Sequence, residues 1–207
     1  MKILKLICFV SVSVQIIVSA EIPPSLEKYS KVSFNLGYSS DCQELDCIRL
    51  EVTNESGEEL LINENLIKRS LIVTFLIRYE NHQGEVRSKG FSMSHPINTS
   101  SYNHTHSAEH GSGNHHHHHE SRHLYSLETS GNIQVDFLQL MKSTLDRFKK
   151  DMPSDFKKID SIRVLCLLRN PFDEIQQSDG VKMDYTTKGF ELPLDKIKRA
   201  LVSETLF

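Results

Sequence analysis

Leu71-Ile72-Val73-Thr74-Phe75-Leu76-Ile77-Arg78-Tyr79 is the stretch that decides the fold. Side chains alternate along an extended chain, so Leu71, Val73, Phe75, Ile77 and Tyr79 share one face. Ile72 and Leu76 make the other face apolar as well, which predicts a central strand covered on both sides. Asn81-His82-Gln83-Gly84 follows as a turn, and Val86 to Met93 is expected to return as its hairpin partner. The same alternation runs upstream. Val32, Phe34 and Leu36 form one strand pattern, and Ile48, Leu50 and Val52 a second, with Arg49 and Glu51 facing outward. The turn Asn54-Glu55-Ser56-Gly57 separates the second from a short apolar run, Leu60 to Ile62.

Downstream, strand character marks Leu124 to Leu127, then Ile133, Val135 and Phe137, then Ile162 to Leu168. Met183 to Thr187 and Phe190 to Leu192 read as final strands split by Gly189. One helix interrupts the series. Leu138, Met141, Leu145 and Phe148 are spaced as a single helical stripe, ended by Pro153, with Ser154 or Asp155 placed to cap a further turn. Leu194, Ile197 and Leu201 carry a second, shorter helical spacing at the tail. Short strands divided by turn residues, without regular strand-helix alternation, predict a mainly β chain built as an antiparallel two-sheet sandwich with one or two short helices. Its strand rhythm resembles the immunoglobulin-like sandwich domains of secreted proteins. That resemblance is one of fold alone, since no tryptophan is present and Cys42 and Cys47 are too close for an inter-sheet bridge.

Residues 1–20 read as a signal peptide. Lys2 and Lys5 give a positive start, Leu6 to Val18 is mostly apolar, and Val18-Ser19-Ala20 offers small residues for cleavage before Glu21. The apolar stretch is shorter than the ~20 residues a bilayer crossing requires, and no later segment is apolar enough to anchor the chain. The expected mature chain, residues 21–207, is a single domain, secreted or periplasmic. Loss of Lys2 and Lys5 leaves 22 basic against 27 acidic side chains, a formal charge of −5, which argues against nucleic acid as a partner. In an oxidising compartment, Cys42 and Cys47 are expected to pair as a disulfide closing a short loop. Cys166 alternates in phase with Ile162, Val164 and Leu168 and reads as a buried core thiol rather than a nucleophile.

The chemistry of the chain is concentrated in one polar insertion, at about residues 96–122, that is poor in aliphatic side chains and is expected to be disordered. Nine of the twenty residues from His104 to His123 are histidine: His104, His106, His110, His115, His116, His117, His118, His119 and His123. Imidazole is largely neutral near pH 7 and ligates zinc, copper and nickel. A run without fixed geometry suits capture or buffering of a divalent metal, zinc foremost, rather than turnover, because a catalytic metal needs fixed ligands and an open position. The tract resembles, in composition, the histidine-rich loops of extracytoplasmic zinc-handling proteins. If all eleven histidines were protonated, the mature charge would move from −5 to +6, mostly within this segment.

Three sequons, at Asn54, Asn98 and Asn103, are candidate glycan acceptors. The chain holds no Gly-x-Ser-x-Gly, no His-Glu-x-x-His, no phosphate-binding glycine loop and no dinucleotide fingerprint, and it is expected not to be an enzyme. The leading expectation is a secreted, non-catalytic β-sandwich that binds divalent transition metal through its histidine loop. The alternative is an extracellular interaction or adhesion module that engages another extracytoplasmic protein, with the tract incidental.

Overall fold

The computed structural model of the chain describes residues 16–18, 21–39, 42, 44–94, 124–201 and 206–207. Among these, eleven strands and four α-helices follow in the order β1 (Ile16–Val18), β2 (Val32–Tyr38), β3 (Ile48–Asn54), β4 (Leu60–Asn63), α1 (Glu64–Ser70), β5 (Leu71–Asn81), β6 (Val86–Ser94), β7 (Leu124–Leu127), β8 (Ser130–Gln134), α2 (Phe137–Lys150), β9 (Phe156–Arg169), α3 (Asp173–Gln176), β10 (Met183–Thr186), β11 (Phe190–Leu192) and α4 (Leu194–Leu201). Short 3-10 turns occupy Pro24–Lys31 and Leu45–Cys47. The protein is mainly β, and every strand pair is antiparallel.

The largest sheet runs β1-β10-β9-β5-β6, with β11 also paired to β9. β5 is central, as its sequence predicts, with β6 on one side and β9 on the other. The expected hairpin forms across Asn81 to Glu85. Gly84 takes a φ of 81° there, a left-handed conformation that a side chain disfavours. Asn81 is fully buried and holds the turn. Its Oδ1 accepts the backbone N–H of Gln83 and Glu85, and its Nδ2 donates to the carboxylates of Glu85 and Asp155.

One face of this sheet is core. Leu71, Val73, Phe75 and Ile77 on β5 and Ile162, Val164, Cys166 and Leu168 on β9 are all buried. The opposite face is not closed as the sequence suggested. Ile72, Leu76, Leu165 and Leu167 are only half-buried, in contrast to the fully buried residues of the core face.

The core face has two covers. A three-stranded sheet, β2-β3-β8, packs near β10, where Phe34 meets Tyr185 edge-on at 5.3 Å between ring centroids. Helix α2 covers the β5-β6 end, and Phe148 stands against Tyr79 at 5.7 Å and Phe91 at 6.2 Å. A third, two-stranded sheet pairs β4 with β7.

Several expectations shift at element boundaries. Phe137 ends no strand. It opens α2, because the Asp136 side chain accepts the Gln139 N–H and caps the helix one residue earlier. The buried stripe of α2 is then Phe137, Leu140, Met141, Thr144, Leu145 and Phe148, with Leu138 only partly buried. Residues 154–155 form a turn into β9 rather than another helical turn. The described helices outnumber the expected one or two. α1 was hidden in the polar sequence Glu64-Asn65-Leu66-Ile67-Lys68-Arg69-Ser70, which buries only Ile67 and Ser70 and is capped by Asn63 accepting from Leu66. β1 lies within the segment read as a signal peptide.

Candidate metal tract and its surroundings

The nine histidines from His104 to His123 lie outside the described residues, as do Asn98 and Asn103. The structure fixes the two points from which the segment departs. β6 ends at Ser94, on the edge of the large sheet beside β5, and β7 begins at Leu124, paired to β4. The described strands that flank residues 95–123 therefore belong to two different sheets. His82 is the one histidine among the described residues. It is exposed in the β5-β6 turn, and its backbone N–H donates to the Asp155 carbonyl at 2.9 Å.

Beside that turn, Arg87 bridges the carboxylates of Glu85 and Asp155, each at 3.0 Å. Arg87 and Asn81 together hold the Glu85 carboxyl below the usual carboxylate range, and Glu85 in turn raises the Arg87 guanidinium. Lys157 and Lys158 lower Glu80 in the same way. These are paired surface charges, which order a turn and contribute little individually.

The predicted disulfide is present, linking Cys42 to Cys47 with Cα atoms 5.8 Å apart. Asp46 lies next to it, and the Cys47 sulfur is 3.5 Å from an Asp46 carboxylate oxygen. The three side chains have the composition of a metal ligand set, yet both sulfurs are spent in the S–S bond and thiolate is the form that ligates. The bridge instead ties the end of β2 to the start of β3. The Ser39 N–H donates to the Cys47 carbonyl across the same corner.

Cys166 is fully buried and free, as its phase on β9 implies. Burial pushes its thiol well above the ordinary range, partly offset by a hydrogen bond with the Thr187 hydroxyl. That hydroxyl also accepts the Cys166 backbone N–H at 2.9 Å. A thiol in this state is not a nucleophile.

Asn54, the one sequon asparagine among the described residues, is also buried. Its Nδ2 donates to the carbonyls of Glu58, Leu127 and Glu128, and its Oδ1 accepts from the Ser56 N–H and hydroxyl. A glycan on Nδ2 would leave one N–H for three carbonyls, so glycosylation competes with this packing. The signal missed in the sequence was position. Asn54 closes β3 opposite Val32 and belongs to the sheet more than to the loop after it.

Between α2 and the sheets runs a crevice lined by apolar side chains alone, among them Leu45, Phe75, Phe137, Met141 and Val164. It brings no acid, histidine or thiol to a shared point. Comparison with protein-family models, curated proteins and solved structures gave no match.

Proposed function

We propose that this is a secreted, non-catalytic protein that captures divalent transition metal, zinc foremost, on the histidine tract between β6 and β7. The observation that carries the reading is compositional: nine imidazoles in twenty residues of a chain that opens with a signal-like segment. Five of them are consecutive, so many overlapping ligand pairs are available and no single histidine is essential. Copper and nickel fit the same donors. The Cys42–Cys47 disulfide accords with an oxidising compartment. No helix among the described residues is long and apolar enough to cross a membrane. The body, which we read as an immunoglobulin-like sandwich with α2 standing in for part of one sheet, serves as a rigid mount for both ends of the tract.

Zinc titration by calorimetry, on the intact chain and on a chain lacking residues 103–122, tests this. The reading expects saturable zinc binding that the deletion removes, and binding that fades below about pH 6 as imidazoles protonate. Equal affinity in both chains would end it.

The second reading, an interaction module, is favoured by one observation. Ile72 lies directly across from Leu167, and Leu76 and Leu165 continue the same partly buried aliphatic surface on the outer face of the large sheet. Such a surface is a common mark of a protein contact.

A further inference from the structure

The outer edge of β10 carries a second site. We propose that, once the signal segment is cleaved, this edge is a strand-acceptor site that binds an extended, β-branched aliphatic segment of a partner polypeptide by antiparallel pairing. The proposal rests on the secreted reading above.

The structure shows what the edge accepts. Ile16, Ile17 and Val18 pair antiparallel with β10, opposite Tyr185, Asp184 and Met183 respectively. These three residues lie in the segment that cleavage after Ala20 removes. Cleavage therefore takes away a strand that the fold is able to hold, and the acceptor remains. β10 keeps its shape without β1 because its inner side is fixed independently. The Met183 N–H donates to the Asn170 side chain at 2.6 Å, and its carbonyl accepts the Asn170 N–H at 3.2 Å. Tyr185 is fully buried against Phe34 and Phe172, with its hydroxyl donating to the Tyr29 carbonyl at 2.9 Å.

Alternation then sets which groups the edge offers. Met183 and Thr187 direct their backbone groups toward β9 and its continuation, so Asp184 directs its N–H and carbonyl the other way, toward the position of Ile17. An edge of this kind is a template for strand addition unless something guards it. The opposite edge strand, β6, carries Arg87 and Lys89, whereas β10 presents Asp184 alone and neither proline nor lysine.

The test uses the protein recovered from a secreting host, with its N-terminus read by mass spectrometry. The probe is a labelled synthetic peptide of residues 13–20, followed by fluorescence anisotropy. Chain starting at Glu21 should bind the peptide saturably. An Ile17→Pro peptide, which cannot donate to Asp184, should bind about tenfold more weakly or not at all. Asp184→Pro in the protein removes the outward N–H and leaves the inward bonds of Met183 with Asn170 in place, so β10 should stay folded, as circular dichroism reports, while peptide binding is lost. Equal binding of both peptides, or no binding to chain starting at Glu21, would overturn the site and leave secretion standing. A secreted chain that retains Ile16–Val18 would overturn both. A concentration-dependent dimer abolished by Asp184→Pro would overturn the partner in favour of a second copy of this chain.

Discussion

Asn54 illustrates how one side chain can hold three segments together. Its amide joins the end of β3, the Glu58 loop and the β7-β8 turn through carbonyls at 2.7, 3.0 and 3.1 Å. Replacing it with alanine removes these bonds, the buried one to the Leu127 carbonyl included, so Asn54→Ala is expected to cost ~1–3 kcal/mol in urea unfolding. A loss near zero would mean that water reaches those carbonyls. Cys166 makes the opposite case, a reactive group made inert by its surroundings. Native protein should leave Cys166 unmodified by a thiol-specific disulfide reagent at pH 8, and full modification should appear only in denaturant. Both residues show where the sequence was and was not readable. The period-2 phase of Ile162, Val164, Cys166 and Leu168 announced the buried thiol. A sequon announces only Asn-x-Ser, and the same three letters fit a loop or the end of a strand.

Among the elements, β5 and β9 were legible because long alternation leaves few other solutions, and the structure pairs them over most of their length. α1 was not legible, since a seven-residue helix with two buried positions has no stripe to detect. The register of α2 was half legible. The stripe was visible, but a single cap at Asp136 moved its start and brought Leu140 inward in place of Leu138. That shift makes a quantitative contrast. Phe148 is fully buried among Tyr79, Phe91 and Phe156, so Phe148→Ala should cost ~3–5 kcal/mol, whereas Leu138→Ala, at a partly buried position, should cost well under half as much. Comparable losses at the two sites, measured by chemical denaturation, would contradict the observed register. The shared cover of the core, part sheet and part helix, was not readable either. A helix and a strand of similar apolar content bury the same sheet equally well, and only tertiary contact decides between them.

At the scale of the molecule, the paired carboxylates set an acid dependence. Glu80 and Glu85 are both held below their ordinary value of 4.5 by neighbouring cations. Their contribution to stability is present above that value and is lost as pH falls through the lowered ones. Unfolding midpoints should therefore drop as pH falls below about 4.5, and Glu80→Gln with Glu85→Gln should flatten that decline by lowering the midpoint modestly at pH 7, where the ion pairs exist, and leaving it unchanged in strong acid, where both carboxyls are protonated. The histidine tract, by contrast, was legible only as composition, and its link to the body is topological: it leaves one sheet at β6 and rejoins another at β7. On this account metal is held by the tract and the fold stays as it is. Histidine ring resonances observed by NMR during a zinc titration near pH 7.5 test that division most directly. The account predicts that resonances of His104 to His123 shift and broaden while His82 and the β5 amides stay in place. Unmoved tract resonances, or zinc perturbing His82 and the core strand instead, would contradict it.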